Sequence, residues 1–159
     1  MGSRFERPRR AYRIGSASHP LLDGSGAAAS EDARWNSKGR FVIYCAEHYA
    51  AALLEKAAQL NSVRVPRTLV YVRVTVPSDV SVEELGAEDL HGWDSPLKRE
   101  SQAFGDRWYE EQRSLVLVVP SLVAPGLERN VLINQRHPEF ARLMATDAEP
   151  VRCHPRLLA

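Results

Sequence analysis

At 159 residues the chain has the length of one domain, enough to bury a core without disulfides or a structural metal. Its 44% apolar and 26% charged residues exclude disorder, and a net charge of +1 removes any general pull toward nucleic acid or an anionic membrane, so any anion site must be local. No apolar run approaches the ~20 residues of a membrane span and the N-terminus lacks the apolar core of a secretory signal, which predicts a soluble, cytoplasmic protein.

Residues 1–11 read as a basic, flexible segment: Met1-Gly2-Ser3 looks like an expression-vector remnant, and Arg4, Arg7, Arg9 and Arg10 suit a solvated terminus. A single domain is expected over 12–159. It opens on a short strand over 12–14, followed by a Gly/Ala/Ser-rich loop over 15–30 with no hydrophobic period, expected to be mobile or closed over a ligand. Arg34-Trp35-Asn36-Ser37-Lys38-Gly39-Arg40 is a turn leading into a strand over 41–45 and a helix over 47–60. In that helix Ala50, Leu53, Leu54, Ala57 and Leu60 share one face, widened by Ala51 and Ala58, as on a helix packed against a sheet. Glu55 falls at the edge of the stripe, while Lys56 and Gln59 point away from it. Strict alternation over 68–76 predicts a strand with Leu69, Tyr71, Arg73 and Thr75 on one face and valines on the other. A polar connector containing Trp93 leads to a helix over 98–112, with Phe104 and Trp108 one turn apart and Gly105 weakening its middle. The apolar run over 114–119 predicts a central strand covered on both faces and stopped by Pro120-Ser121. A strand over 130–134, a short helix from His137-Pro138 through Phe140 to Met144, and an edge strand over 151–153 complete the chain. Five or six strands and two or three helices without regular βαβ alternation indicate an α+β (mixed α/β) fold.

The placement of Arg34, Tyr44 and Glu55 carries the chemical interest. The strand brings Tyr44 to its end, and the helix behind it aims a carboxylate at the same mouth, so an anion binder, a ring and an acid meet in one cleft. Each has a plainer reading. Glu55 serves equally as a boundary glutamate bonded locally, Arg34 as a turn cap or partner of Asp32, and Tyr44 as a core residue with its hydroxyl satisfied. Ser121 reads as a turn closer, because its surroundings are not a Gly-x-Ser-x-Gly elbow. His48 fits a solvated helix start and His137 a helix entry. Cys45 and Cys153 lack metal-ligand spacing and read as reduced thiols, and the absence of Gly-x-Gly-x-x-Gly after a strand leaves a Rossmann dehydrogenase without support.

Taken in order, Arg34-Trp35-Asn36, the strand ending at Tyr44, Ala52-Leu53-Leu54-Glu55, Phe104-Gly105-Asp106-Arg107-Trp108, Val119-Pro120-Ser121, and Asn130-Val131-Leu132-Ile133-Asn134 before His137-Pro138 resemble the RES-domain toxins of bacterial RES/Xre toxin–antitoxin modules, and among them the ParT branch. The resemblance implies a compact ADP-ribosyltransferase-like fold, a central mostly antiparallel sheet flanked by helices, and a growth-arresting enzyme that consumes NAD+. By motif it assigns Glu55, Arg34 and Tyr44 to catalysis and Arg13, Arg34, Tyr44 and Ser121 to NAD+ binding, with no metal. It also implies a cognate Xre-type antitoxin and a protein acceptor of ADP-ribose, such as the nucleotide-biosynthesis enzyme phosphoribosyl pyrophosphate synthetase, or water or phosphate in its place, without direct nucleic-acid or membrane binding. Many relatives carry two glycines before Arg-Trp where this chain has Asp32-Ala33, so the loop there is expected to differ.

These residue types suit the reaction. Cleaving the nicotinamide–ribose bond releases a neutral leaving group and spreads positive charge over the ribose ring, which a fixed carboxylate stabilises. Glu55 is the candidate for that role, arginine suits a pyrophosphate because its planar fork offers several donors, and the Tyr44 ring can stack on the ribose side. Ser121 can donate to a phosphate or ribose oxygen. The residues alone leave two other classes open: a ribonuclease-type toxin working through Arg9, Arg10 and scattered histidines, and a non-catalytic binding module.

Overall fold

The computed structural model describes residues 3–159; Met1 and Gly2, of the expected vector remnant, lie outside the described residues. One sheet holds eight strands, β1 (Arg9–Ser16), β2 (Val42–Ala46), β3 (Leu69–Val76), β4 (Val82–Glu84), β5 (Val116–Pro120), β6 (Arg129–Asn134), β7 (Met144–Ala145) and β8 (Glu149–Pro150). The helices are α1 (Ser25–Ala29), α2 (Tyr49–Leu60) and α3 (Arg99–Glu110). The strand order is β4-β5-β6-β2-β1-β3-β7, with β8 also on β3, and every pairing except the parallel β4–β5 is antiparallel.

The sheet is curled. Only residues 77–81 separate β3 from β4, although five inter-strand steps lie between them in the sheet order, about 24 Å if the sheet were flat. That distance exceeds what so short a link spans comfortably. Alternation along each strand sorts the core accordingly. Val72, Val74, Val76, Val82, Val116, Val118, Val131 and Ile133 fill one face. The other face is divided: Leu117, Val119 and Leu132 pack with Trp35, Trp93 and Trp108, whereas Ile14, Ala46 and Leu69 pack with Ala51 and Ala52 of α2. Helix α3 comes very close to the loop after α1. A Cβ on Gly105 would lie 1.7 Å from the Trp35 carbonyl oxygen, so the glycine that weakens the helix is what permits the contact.

Several expectations are corrected. Pairing begins at Arg9 against Val76, and Ser3 already exchanges hydrogen bonds with Val82, so much of the basic segment expected to fray belongs to the sheet. The 15–30 stretch is anchored rather than lid-like: Leu21 is buried in the core, residues 25–29 form α1, and the Gly24 amide donates to Gln135 Oε1 at 2.6 Å. No hydrophobic period marks it because single residues, rather than a face, hold it down. The polar connector contains β4, whose Val82, like Val80 just before it, is fully buried. Near the C-terminus the expected helix is one turn at Phe140–Arg142, followed by β7, and the last strand is Glu149–Pro150 rather than 151–153. Two-residue strands are too short for alternation to reveal.

Candidate active site

Strands β1 and β2 are neighbours joined at one residue pair, Tyr12 opposite Ala46, whereas β1 pairs β3 along all eight of its residues. Beyond that pair the two strands part. Arg13 spans the gap, its Nη1 donating to the Tyr44 carbonyl at 2.9 Å and so satisfying a strand oxygen that has lost its ladder partner. The opening is a cleft of about 170 Å³ walled by residues that include Tyr12, Arg13, Tyr44, Glu55, Lys56, Gln59 and Asn130.

Glu55 lies on α2 one turn beyond the buried Ala51 and Ala52, which seat that face of the helix on the sheet. Ser121, fully buried immediately after β5, donates its hydroxyl to Glu55 Oε1 at 2.7 Å, and Asn130 at the start of β6 donates Nδ2 to the same oxygen at 2.8 Å. Both donors converge on Oε1, and among the described residues no hydrogen bond engages Oε2. The side chain is therefore fixed in direction while one carboxylate oxygen is left for the cleft. Accepting from Asn130 also sets that amide's orientation, since the flipped form would face its oxygen to a carboxylate. Asn130 Oδ1 and Arg13 Nε are buried without partners.

Tyr44 lines the cleft, and its hydroxyl is engaged elsewhere, donating to Asn36 Oδ1 at 2.6 Å and accepting from the Trp35 amide at 3.1 Å. Burial of the hydroxyl pushes its pKa up, so the phenol remains a donor. Arg34 follows a different pattern. Its Nη1 donates to the carbonyls of Trp93 and Ser95 at 2.9 and 3.0 Å, while Asp32 pairs with Lys98 instead. Burial lowers the Arg34 pKa, with Asp94, Glu55 and Tyr44 acting in the opposite sense. Arg34 is thus near enough to Glu55 to feel its charge, yet it is not among the residues walling the cleft. The loop that carries it is pinned by Trp35, stacked on Trp93 at 6.2 Å and edge-on to Phe104 at 6.5 Å.

The structure brings Arg13, Tyr44 and Glu55 into one cleft, ties Ser121 to Glu55 from behind, and sets Arg34 to one side. It also corrects the reading of Lys56, which is half-buried on the cleft rather than pointing away from the packed face, while Gln59 borders the cleft and remains exposed as expected. The expected stripe is corrected as well: α2 is seated on the sheet through Ala51 and Ala52, with Leu53 and Ala57 partly buried, whereas Ala50, Leu54, Ala58 and Leu60 are exposed. The packed face is thus turned toward Glu55 and Lys56, which reach the place where β1 and β2 part. Asn130 escaped sequence reasoning because a polar residue at a strand start is ordinary. Cys45 is buried with its thiol pushed up to about 12, chiefly by burial, so it stays protonated and is no nucleophile. His48 pairs with Glu128 at 2.7 Å at the start of α2.

The RES domain profile matches residues 7–154. The chain is 36% identical over 141 residues to a protein of Sphingobium sp. (strain YBL2) named "Prs ADP-ribosylating toxin", covering 86% of each. It is 30% identical over 115 residues to a "Toxin Res" of Yersinia enterocolitica, covering 71% of this chain and 74% of the other. In fold it is similar to a chain in the crystal structure of the M. tuberculosis MbcT–MbcA toxin–antitoxin complex, with a TM-score of 0.66 at 16% identity, covering 93% of this chain and 86% of that one. With the family profile spanning residues 7–154 and a 36%-identical relative covering 86% of the chain, the protein belongs to the RES-domain family.

Proposed function

We propose that this protein is the toxin of a bacterial toxin–antitoxin pair, and that it cleaves the nicotinamide–ribose bond of NAD+ and transfers the ADP-ribose to a protein acceptor. The observation that carries the proposal is the Glu55 carboxylate, fixed through Oε1 by Ser121 and Asn130 with Oε2 left for the cleft. A preset negative charge needs no reorganisation as the ribose becomes cationic, which is the condition for large electrostatic stabilisation. In this reading Tyr44 lies on the nicotinamide–ribose side, Arg13 offers donors to a phosphate, and Arg34, beside the cleft rather than in its wall, adds positive charge that favours the anionic dinucleotide. Ser121 works through Glu55. The 36%-identical relative, named as a toxin that ADP-ribosylates Prs, supports ADP-ribose transfer, and with the resemblance to the ParT branch it makes phosphoribosyl pyrophosphate synthetase the first acceptor to try. An antitoxin of the Xre type that covers the cleft mouth, and action in the cytoplasm, belong to the same reading.

The test is purified protein with NAD+ labelled on the adenylate, incubated alone, with phosphate, and with purified phosphoribosyl pyrophosphate synthetase. Nicotinamide release with label on the synthetase is the expected result. Release without protein labelling would reassign the acceptor to water or phosphate, and no release in any mixture would overturn the proposal.

A further inference from the structure

Helix α2 places two consecutive residues of opposite charge on the cleft, and Glu55 accounts for only one of them. Lys56 also lines it, as does Arg13 from the far side of the gap between β1 and β2. Lys56 makes one hydrogen bond, from Nζ to the neutral Gln59 Oε1 at 2.9 Å, which leaves two of its three donors free. Arg13 has spent Nη1 on the Tyr44 carbonyl, and its Nε is buried without an acceptor. Among the described residues neither cation has a carboxylate partner in an ion pair. Arg34, the other cation in the neighbourhood, is braced on the carbonyls of Trp93 and Ser95 and does not wall the cleft.

We propose that Lys56 and Arg13 together form a phosphate-binding site inside the cleft, beside the Glu55 carboxylate. Two cations facing one small cavity repel each other and lose hydration, a cost that a solvated lysine would avoid by turning outward. Burial, and then the Arg13 charge, lower the Lys56 pKa, as this arrangement requires. A phosphate reverses both costs at once, because it supplies the missing charge and several acceptor oxygens to donors that are already in place. Arginine and lysine divide the work: the planar guanidinium fixes the orientation of the anion and the flexible ammonium follows it. Naming the occupant as a phosphate of NAD+ rests on the proposal above, whereas free phosphate would present the same oxygens.

The experiment is calorimetric titration of the full chain with ADP-ribose, inorganic phosphate and nicotinamide riboside, in the wild type and in Lys56→Met, Lys56→Gln and Lys56→Arg. If the site holds the dinucleotide, Lys56→Met and Lys56→Gln weaken ADP-ribose by roughly tenfold or more, Lys56→Arg retains it, and the riboside, which has no phosphate, binds equally to all. If the site holds free phosphate, the same two variants lose inorganic phosphate while ADP-ribose is unaffected, which also supports the site. Removing an uncompensated charge should raise the melting temperature of Lys56→Met, opposite to the loss expected of a structural lysine. Equal binding of all ligands by wild type and Lys56→Met, or no binding of either phosphate compound by the wild type, overturns the proposal. None of these readouts needs turnover, so absence of nicotinamide release would defeat the catalytic reading and leave this one to be decided separately.

Discussion

Glu55→Gln is the most decisive perturbation, because the geometry predicts different sizes of effect on folding and on chemistry. Glutamine is nearly isosteric and its carbonyl oxygen can take the place of Oε1, still accepting from Ser121 and Asn130, while its amide group replaces Oε2. Two charge-assisted hydrogen bonds become neutral ones, and at about 1 kcal/mol each the loss is at most about 2 kcal/mol, a shift of several degrees in melting temperature for a domain of this size. Relief from holding a half-buried charge offsets part of that. The transition state loses more. Removing a preset group aimed at developing charge costs on the order of 10²–10³ in rate, about 2.7–4 kcal/mol. Ground-state affinity for NAD+ should change little, since the carboxylate acts mainly on charge that is absent before bond cleavage. Melting, NAD+ binding and nicotinamide release measured on one preparation check this, and toxicity should disappear with the release. Wild-type turnover by Glu55→Gln, or a rate loss no larger than its unfolded fraction explains, would refute the catalytic role and restore the boundary-glutamate reading.

Tyr44→Phe should keep the cleft wall and NAD+ affinity but destabilise the fold by roughly 1–3 kcal/mol, because it strands the buried Asn36 oxygen and the Trp35 amide. A denaturation midpoint equal to wild type would contradict it. Arg34→Ala should raise the KM for NAD+ more than Arg34→Lys does, and it should also lower the melting temperature, since Nη1 braces the carbonyls of Trp93 and Ser95. Unchanged KM with lowered melting would confine Arg34 to the structural role. Gly105→Ala must push α3 off the Trp35 carbonyl, with an expected cost of about 3 kcal/mol or more measured by urea unfolding. Lys56 should make the fold relatively more stable as pH rises below its unfolded pKa, because its folded pKa is depressed and the unfolded chain binds more protons in that window. The stability difference between wild type and Lys56→Met should accordingly shrink toward alkaline pH.

Local pattern alone was enough to place the longer elements. Alternation located β3, whose valines Val72, Val74 and Val76 are all buried as the pattern requires, and helical periodicity located α2 and α3 within a residue or two. The motif order also sufficed for the family, because a set of short motifs in sequence is far more specific than any one. Where the signal was a single residue, it failed: Leu21 and Gly24 anchor a stretch that reads as a loose loop, and β7 and β8 are too short to alternate.

The sequence by itself determined that Glu55 lies on a helix and that Tyr44 occupies the strand just before it, since each follows from the pattern within one element. Only the tertiary structure decided which face of that helix is packed, with Ala51 and Ala52 buried and Leu54 and Leu60 of the expected stripe exposed, and what Glu55 therefore faces. The single pairing of Tyr12 with Ala46 lets β1 and β2 part, and the gap turns Lys56 from a solvent residue into a cleft residue. Asn130, 75 positions from Glu55, meets the same carboxylate oxygen as Ser121, and Arg34 is drawn aside by the carbonyls of Trp93 and Ser95. Contacts between elements so far apart in the chain depend on sheet order, curl and register, which arise from the packing of all the strands together and leave no period within any one of them.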